Sequence, residues 1–152
     1  MMAGMWMPDQ IRNRIDHIVI PLDISSSVGR DEQAAFLDKI EQLRKDTPCR
    51  LLTIIPFNHV VQRDQIVEVL EYEDVPTTWD VGGGTRFASV FNYIGRMDKC
   101  PDAVIVFTDL GCSDYGEPPG CRVLWASSEP VYERGNYSNR PPFGDVIEVE
   151  VV

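Results

Sequence analysis

His17-Ile18-Val19-Ile20-Pro21-Leu22-Asp23-Ile24-Ser25-Ser26-Ser27 is the stretch on which the fold turns. Its apolar residues run on without polar alternation, as in a strand buried on both faces rather than one with a wet side. The run ends in a carboxylate and hydroxyls, so polar chemistry is delivered where the chain leaves the strand. Three further short apolar runs have the same character: Leu51–Phe57, Ala103–Phe107 and Val123–Ala126. Together they predict a mostly parallel sheet.

The segments between them supply helices. Phe36, Leu37, Ile40 and Leu43 fall on one helical face, with Asp31 and Glu32 ahead of them, Arg44 and Lys45 behind, and Pro48 beyond; this predicts a helix of about four turns. Phe87, Val90, Phe91, Ile94 and Met97 form a second stripe that stops before Pro101. Val60–Tyr72 fits either an antiparallel strand after a turn near Asn58 or a short helix, with strand favoured for its first part only. Val146, Ile147, Val149 and Val151, interleaved with Glu148 and Glu150, read as an edge strand whose charges blunt the edge. Leu110–Arg122 and Ser127–Gly144 are too rich in Gly, Pro and polar residues for helices, so one face of the sheet is expected to be thinly covered. The fold class is therefore α/β: a Rossmann-like, doubly wound, mostly parallel sheet with one antiparallel strand and trimmed helices. Residues 15–152 form one domain, and residues 1–14 read as a loosely packed arm or an expression remnant.

Bulk properties exclude several functions. A formal charge of −10, with 14 Lys and Arg against 24 Asp and Glu, argues against nucleic acid as a partner. No apolar run approaches the roughly 20 residues of a membrane span, and the first ten residues lack a secretory pattern, so a soluble, cytoplasmic protein is expected. That compartment predicts reduced thiols for Cys49, Cys100, Cys112 and Cys121, with a Cys112–Cys121 loop disulfide as the alternative and metal binding behind it. His17 and His59 read as strand-end residues. The acidic run Glu68, Glu71, Glu73 and Asp74 reads most simply as a solvated face, and otherwise as a docking patch for a basic partner.

The chemistry lies at strand ends. Asp23, Ser25 and Ser27 leave the first strand, and Asp109 ends the Ala103 strand. In the order 3-2-1-4-5-6 those strands are neighbours, and both acids flank the switch point where open α/β sheets bind ligands. Two acids there repel unless a cation sits between them or one holds a proton. Gly82-Gly83-Gly84-Thr85 leads into the second helix, where glycines let the backbone come close and Thr85 turn its hydroxyl inward. Carboxylate and hydroxyl donors select a hard ion, magnesium first, manganese or calcium otherwise. The expected metal ligands are Asp23, Ser25, Ser27, Thr85 and Asp109.

DISSS, GGGT and FTDL, in that order, resemble the three site loops of von Willebrand factor A (VWA) domains and their metal-ion-dependent adhesion site, MIDAS. Val19–Ser27, Gly82–Phe87, Ala103–Asp109, Val123–Trp125 and Pro141–Ile147 resemble more closely the VWA-like C-terminal domain of bacterial metallopeptidase-type proteins, over roughly residues 17–151. The resemblance implies that Ser25, Ser27 and Thr85 contact the cation through their hydroxyls. Asp23 and Asp109 then act mainly through water and by orienting those hydroxyls, and a partner's Asp or Glu completes the site. It implies protein binding without catalysis, in an intracellular assembly, with an AAA+ ATPase as the partner class. Two departures stand out. Arg86 follows the site threonine where the family often has an acid, a change that lowers cation affinity or adds a second handle for an anionic partner, so Arg86 and Asp114 are candidate partner-binding residues; and no HExxH motif is present.

Two other functions use the same residues. A small metal-dependent hydrolase would activate water on the cation, with Asp114 or Glu117 as base; however, the sequence has no phosphate loop, GxGxxG or G-x-S-x-G elbow. A structural or assembly module with an empty site would work through Trp125, Tyr132, Tyr137 and Phe143, although packing into the remaining core is the simpler expectation for these aromatics.

Overall fold

The computed structural model describes residues 15–77, 79–135 and 137–151; the arm expected over residues 1–14 lies outside them, as does the Tyr137 side chain. The strands are β1 (Ile15–Asp23), β2 (Cys49–Phe57), β3 (Val67–Leu70), β4 (Ala103–Thr108), β5 (Val123–Ser127), β6 (Glu133–Arg134), β7 (Tyr137–Ser138) and β8 (Asp145–Glu148). Six of them form one sheet in the order β3-β2-β1-β4-β5-β8, and β6 and β7 form a small ribbon. All neighbours in the large sheet are parallel except β2 and β3. This is the expected doubly wound order, with β8 as its sixth strand. Among the described residues no helix is long and apolar enough to cross a membrane.

Side-chain alternation along a strand explains why the runs are continuously apolar. Ile18, Ile20 and Leu22 of β1 pack on one face with Phe36 and Ile40 of helix α1 (Arg30–Asp46). Val19 points the other way, into a cluster with Ile55, Val104, Val106 and Trp125 under helix α2 (Phe87–Gly95). Each large side chain so buried contributes about 1.5–3 kcal/mol relative to leaving it in water. The acidic first turn and basic last turn of α1 suit its dipole. α2 is shorter than its stripe predicts: Gly95 is its last residue, and Met97 packs against the core from beyond it.

The second face is covered by the helix-poor segments themselves. Tyr115 stacks on Phe87 with centroids 5.1 Å apart, and Trp125 sits edge-on to Phe87, Phe91 and Tyr115. Phe143 closes the group over Phe91, and its carbonyl accepts the Trp125 indole N–H at 2.8 Å. Trp125 and Phe143 are thus core residues, whereas Tyr132 is exposed.

Two expectations are corrected. The antiparallel strand is Val67–Leu70, not the first part of Val60–Tyr72: Val61 makes only an isolated bridge to Phe57, and a 3-10 turn at Arg63–Gln65 intervenes. The turn is wider than the pattern suggested because Asn58 hydrogen-bonds within it, its side chain accepting from Val60 N–H and Gln62. The cysteines also differ. Cys100 is disulfide-bonded to Cys121, with Cα atoms 6.1 Å apart, leaving Cys49 and Cys112 free. Both bonded residues precede parallel neighbours whose register begins Val104↔Val123, so they meet at the amino ends of β4 and β5. Cys112 follows the carboxyl end of β4, which prevents the Cys112–Cys121 alternative.

Candidate metal centre

Parallel pairing brings the carboxyl ends of β1 and β4 side by side, with Leu22 opposite Phe107. The next residues, Asp23 and Thr108, then project together on the α2 side of the sheet. Thr108 Oγ1 donates to Asp23 Oδ2 at 2.6 Å, and the Ser25 N–H donates to Asp23 Oδ1 at 2.9 Å. Ser25 Oγ lies 3.1 Å from Ser27 Oγ. Asp23 and Ser25 are each only 1% exposed, whereas Ser27 lies at the surface. Among the described residues no ion pair involves Asp23. Burial holds its carboxyl above the usual carboxylate range against the opposing hydrogen bonds from Ser25 and Thr108, and the nearby charge of Asp109 pushes it the same way.

The glycine loop is tied to the first loop by backbone bonds. Gly82 N–H donates to Ile24 O at 2.8 Å, and Gly83 O accepts both the N–H and the hydroxyl of Ser26 at 3.0 Å. Gly83 has φ of +81°, and a Cβ there would come within 3.0 Å of Asn58 Nδ2 and 3.2 Å of His59 Nδ1. Half-buried Thr85 follows, and Arg86 N–H is anchored to Asn58 O at 2.9 Å. Asp109 accepts Gly111 N–H at 2.9 Å through Oδ1. Between them Leu110 adopts φ of +59°, a left-handed conformation that costs a branched residue about 1–2 kcal/mol. The strain is held where the third loop turns away from the site.

Asp23, Ser25 and Ser27 therefore form one connected group, Asp109 stands close enough to act on Asp23, and Thr85 is carried on a loop bonded to the first. Arg86 and Asp114 are paired with each other, Nε to Oδ2 at 3.0 Å, with both side chains more than half exposed. Sequence reading passed over Thr108, whose hydroxyl fills one side of Asp23, and Asn58, which fastens Gly82 O as well as Arg86. Register offered a signal for Thr108, because the residue before the strand-end acid falls opposite Asp23; Asn58 offered none beyond its place in a turn. No three His, Cys, Asp or Glu side chains gather to hold a metal among the described residues. A cation here would rest on hydroxyls and two acids, a donor set that fits a hard ion.

A family model described as a VWA-like domain (DUF2201) matches residues 18–150. The chain belongs to this VWA-like family. The solved structure of proximal thread matrix protein 1 from the mussel byssus is similar to this VWA-like domain at 14% identity with a TM-score of 0.52. The alignment covers 74% of this chain and 36% of that protein, a likeness of fold alone. No curated protein sequence matches significantly.

Proposed function

We propose that this VWA-like domain binds a protein partner through a divalent cation, magnesium in preference to manganese or calcium, at a MIDAS-like site of Asp23, Ser25, Ser27, Thr85 and Asp109. The observation that carries the reading is Asp23: a carboxylate 1% exposed, with no cationic partner among the described residues and a second acid beside it. Such a group is costly to ionise unless positive charge compensates it. When bound, the cation supplies a Lewis-acidic position that an Asp or Glu from outside completes. Asp23 orients the first loop by accepting Ser25 N–H, and the Ser26–Gly83 bonds hold the second loop against it. Low water access strengthens the incoming charge contact.

Binding is favoured over turnover. His17 is engaged with Thr53 in the sheet, and Asp114, one of the two candidate bases, is paired with Arg86. In this reading the domain works in a cytosolic assembly, with an AAA+ ATPase as the first partner class to test. The Cys100–Cys121 bond then has to be reducible in that compartment.

Millimolar magnesium should raise the melting temperature on the order of 5–10 °C at a hundredfold excess over Kd. Asp23→Asn keeps an acceptor for Ser25 N–H and removes the buried charge. In chelator the variant should therefore be at least as stable as wild type, and it should gain nothing from the cation. No shift with magnesium, manganese or calcium, or an undiminished shift in Asp23→Asn, would refute the metal reading.

A further inference from the structure

The outward stripe of α2 carries Ser89, Asn92, Tyr93 and then Arg96 at its cap, at i, i+3, i+4 and i+7, opposite the buried stripe of Phe87, Val90, Phe91 and Ile94. With Val60, Val61 and Arg63, these side chains line a recess of about 300 Å³. The Arg63 guanidinium lies over the Tyr93 ring, 5.4 Å from its centroid, a contact that restrains the long side chain. Neither Arg63 nor Arg96 is within ion-pair distance of an acid among the described residues, and their sequence neighbours Asp64 and Asp98 are exposed without pairing to them. In a chain of net charge −10, two unpaired guanidiniums on one recess make a local positive field in negative surroundings.

The recess is joined to the candidate metal centre through Asn58. That residue accepts from Val60 N–H, donates to Gly82 O and accepts from Arg86 N–H, while Ser89 Oγ donates to Arg86 O at 2.7 Å. At about 1.5 Å per helical residue, Arg96 lies on the order of 15 Å beyond Thr85. An extended chain covers that distance in about five residues.

We propose that this recess is the second half of the partner site, and that the partner is an extended acidic protein segment. One Asp or Glu of the segment meets the cation, and further acids about five residues away are held by Arg63 and Arg96. The inference rests on the metal-dependent reading for its first anchor. Charge-assisted, two-pronged contacts from guanidinium to carboxylate supply the second.

The test uses three fluorescent peptides in a Gly/Ser background, each with one Asp followed about five residues later by Glu-Glu, Gln-Gln or Lys-Lys. Anisotropy is read in magnesium and in chelator. The Glu-Glu peptide should bind at least about tenfold more tightly than Gln-Gln, and Lys-Lys more weakly than either. The double variant Arg63→Ala/Arg96→Ala should bring Glu-Glu down to the Gln-Gln level without changing the magnesium requirement. Both arginines are exposed, so the melting temperature should match wild type. Equal binding of Glu-Glu and Gln-Gln, a preference that survives loss of both arginines, or no binding of any peptide would overturn the inference. So would pyrophosphate displacing the Glu-Glu peptide at a lower concentration than unlabelled peptide does. An arginine-dependent Glu-Glu preference that ignores magnesium would overturn the metal reading and with it the first anchor, while supporting the recess as the site that holds the acids.

Discussion

At the scale of single residues, Asp23 and His17 show how place in the sheet changes a side chain's chemistry. Asp23 ends β1, where sheet and loops shut out water, and its raised affinity for a proton follows mainly from that burial. His17, on the same strand, is half-buried, with Nε2 2.8 Å from Thr53 Oγ1. Burial pulls its proton affinity below the ordinary imidazole value of 6.5, outweighing the opposite pull of Asp16 and Glu68. Protonation of His17 therefore works against the folded state. The stability tied to it is complete above about pH 6.5 and is lost as the pH falls through the lower folded-state value. Urea midpoints at about pH 8 and about pH 5.5 should consequently differ less in His17→Gln than in wild type. A larger pH dependence in the variant would contradict this.

At the scale of elements, loops do the covering that a fuller α/β domain gives to helices, and glycines make the close approaches. Gly144, at φ of +78°, enters β8 where a Cβ would lie 2.6 Å from Val123 O and 3.0 Å from Trp125 Nε1. Gly144→Ala has to push back a strand carbonyl and disturb the Trp125 bond to Phe143 O. A loss of about 2–3 kcal/mol in urea unfolding is expected; a loss within about 0.5 kcal/mol of zero would mean that the strand edge gives way easily. Element type was legible where the apolar pattern is strong, as a helical stripe in α1 and as unbroken runs in β1, β2, β4 and β5. It was not legible in Val60–Leu70, where the bonds of Asn58, not hydrophobic spacing, decide where the turn stops and β3 starts.

At the scale of the whole molecule, the Cys100–Cys121 bond encloses β4 and the entire third site loop, which includes Asp109 and Asp114. Its sequence separation of 21 residues corresponds to about 3 kcal/mol of lost unfolded-state freedom in the chain-entropy account. Cys100→Ser should be less stable than wild type by that order under oxidising conditions, and the two should converge in reductant. A gap that persists in reductant would assign the effect to packing instead. The two apolar clusters share the strands of one sheet, so both faces are held by the same backbone.

The sequence by itself determined the sheet's buried strands, the two helices, the strand-end acids and the three polar loops, because these follow from local spacing and from the rule that each strand face must be covered. It also carried the likeness to VWA domains, since DISSS, GGGT and FTDL are contiguous. Only the tertiary structure decided which distant groups meet. Thr108 faces Asp23 because β1 and β4 pair in one register, Asn58 fastens the glycine loop across a wide turn, and Cys100 rather than Cys112 reaches Cys121. Arg63 joins the α2 stripe in the same way. Each of these contacts closes a long stretch of chain, and the geometry of that closure belongs to the packed sheet and not to any short window of residues.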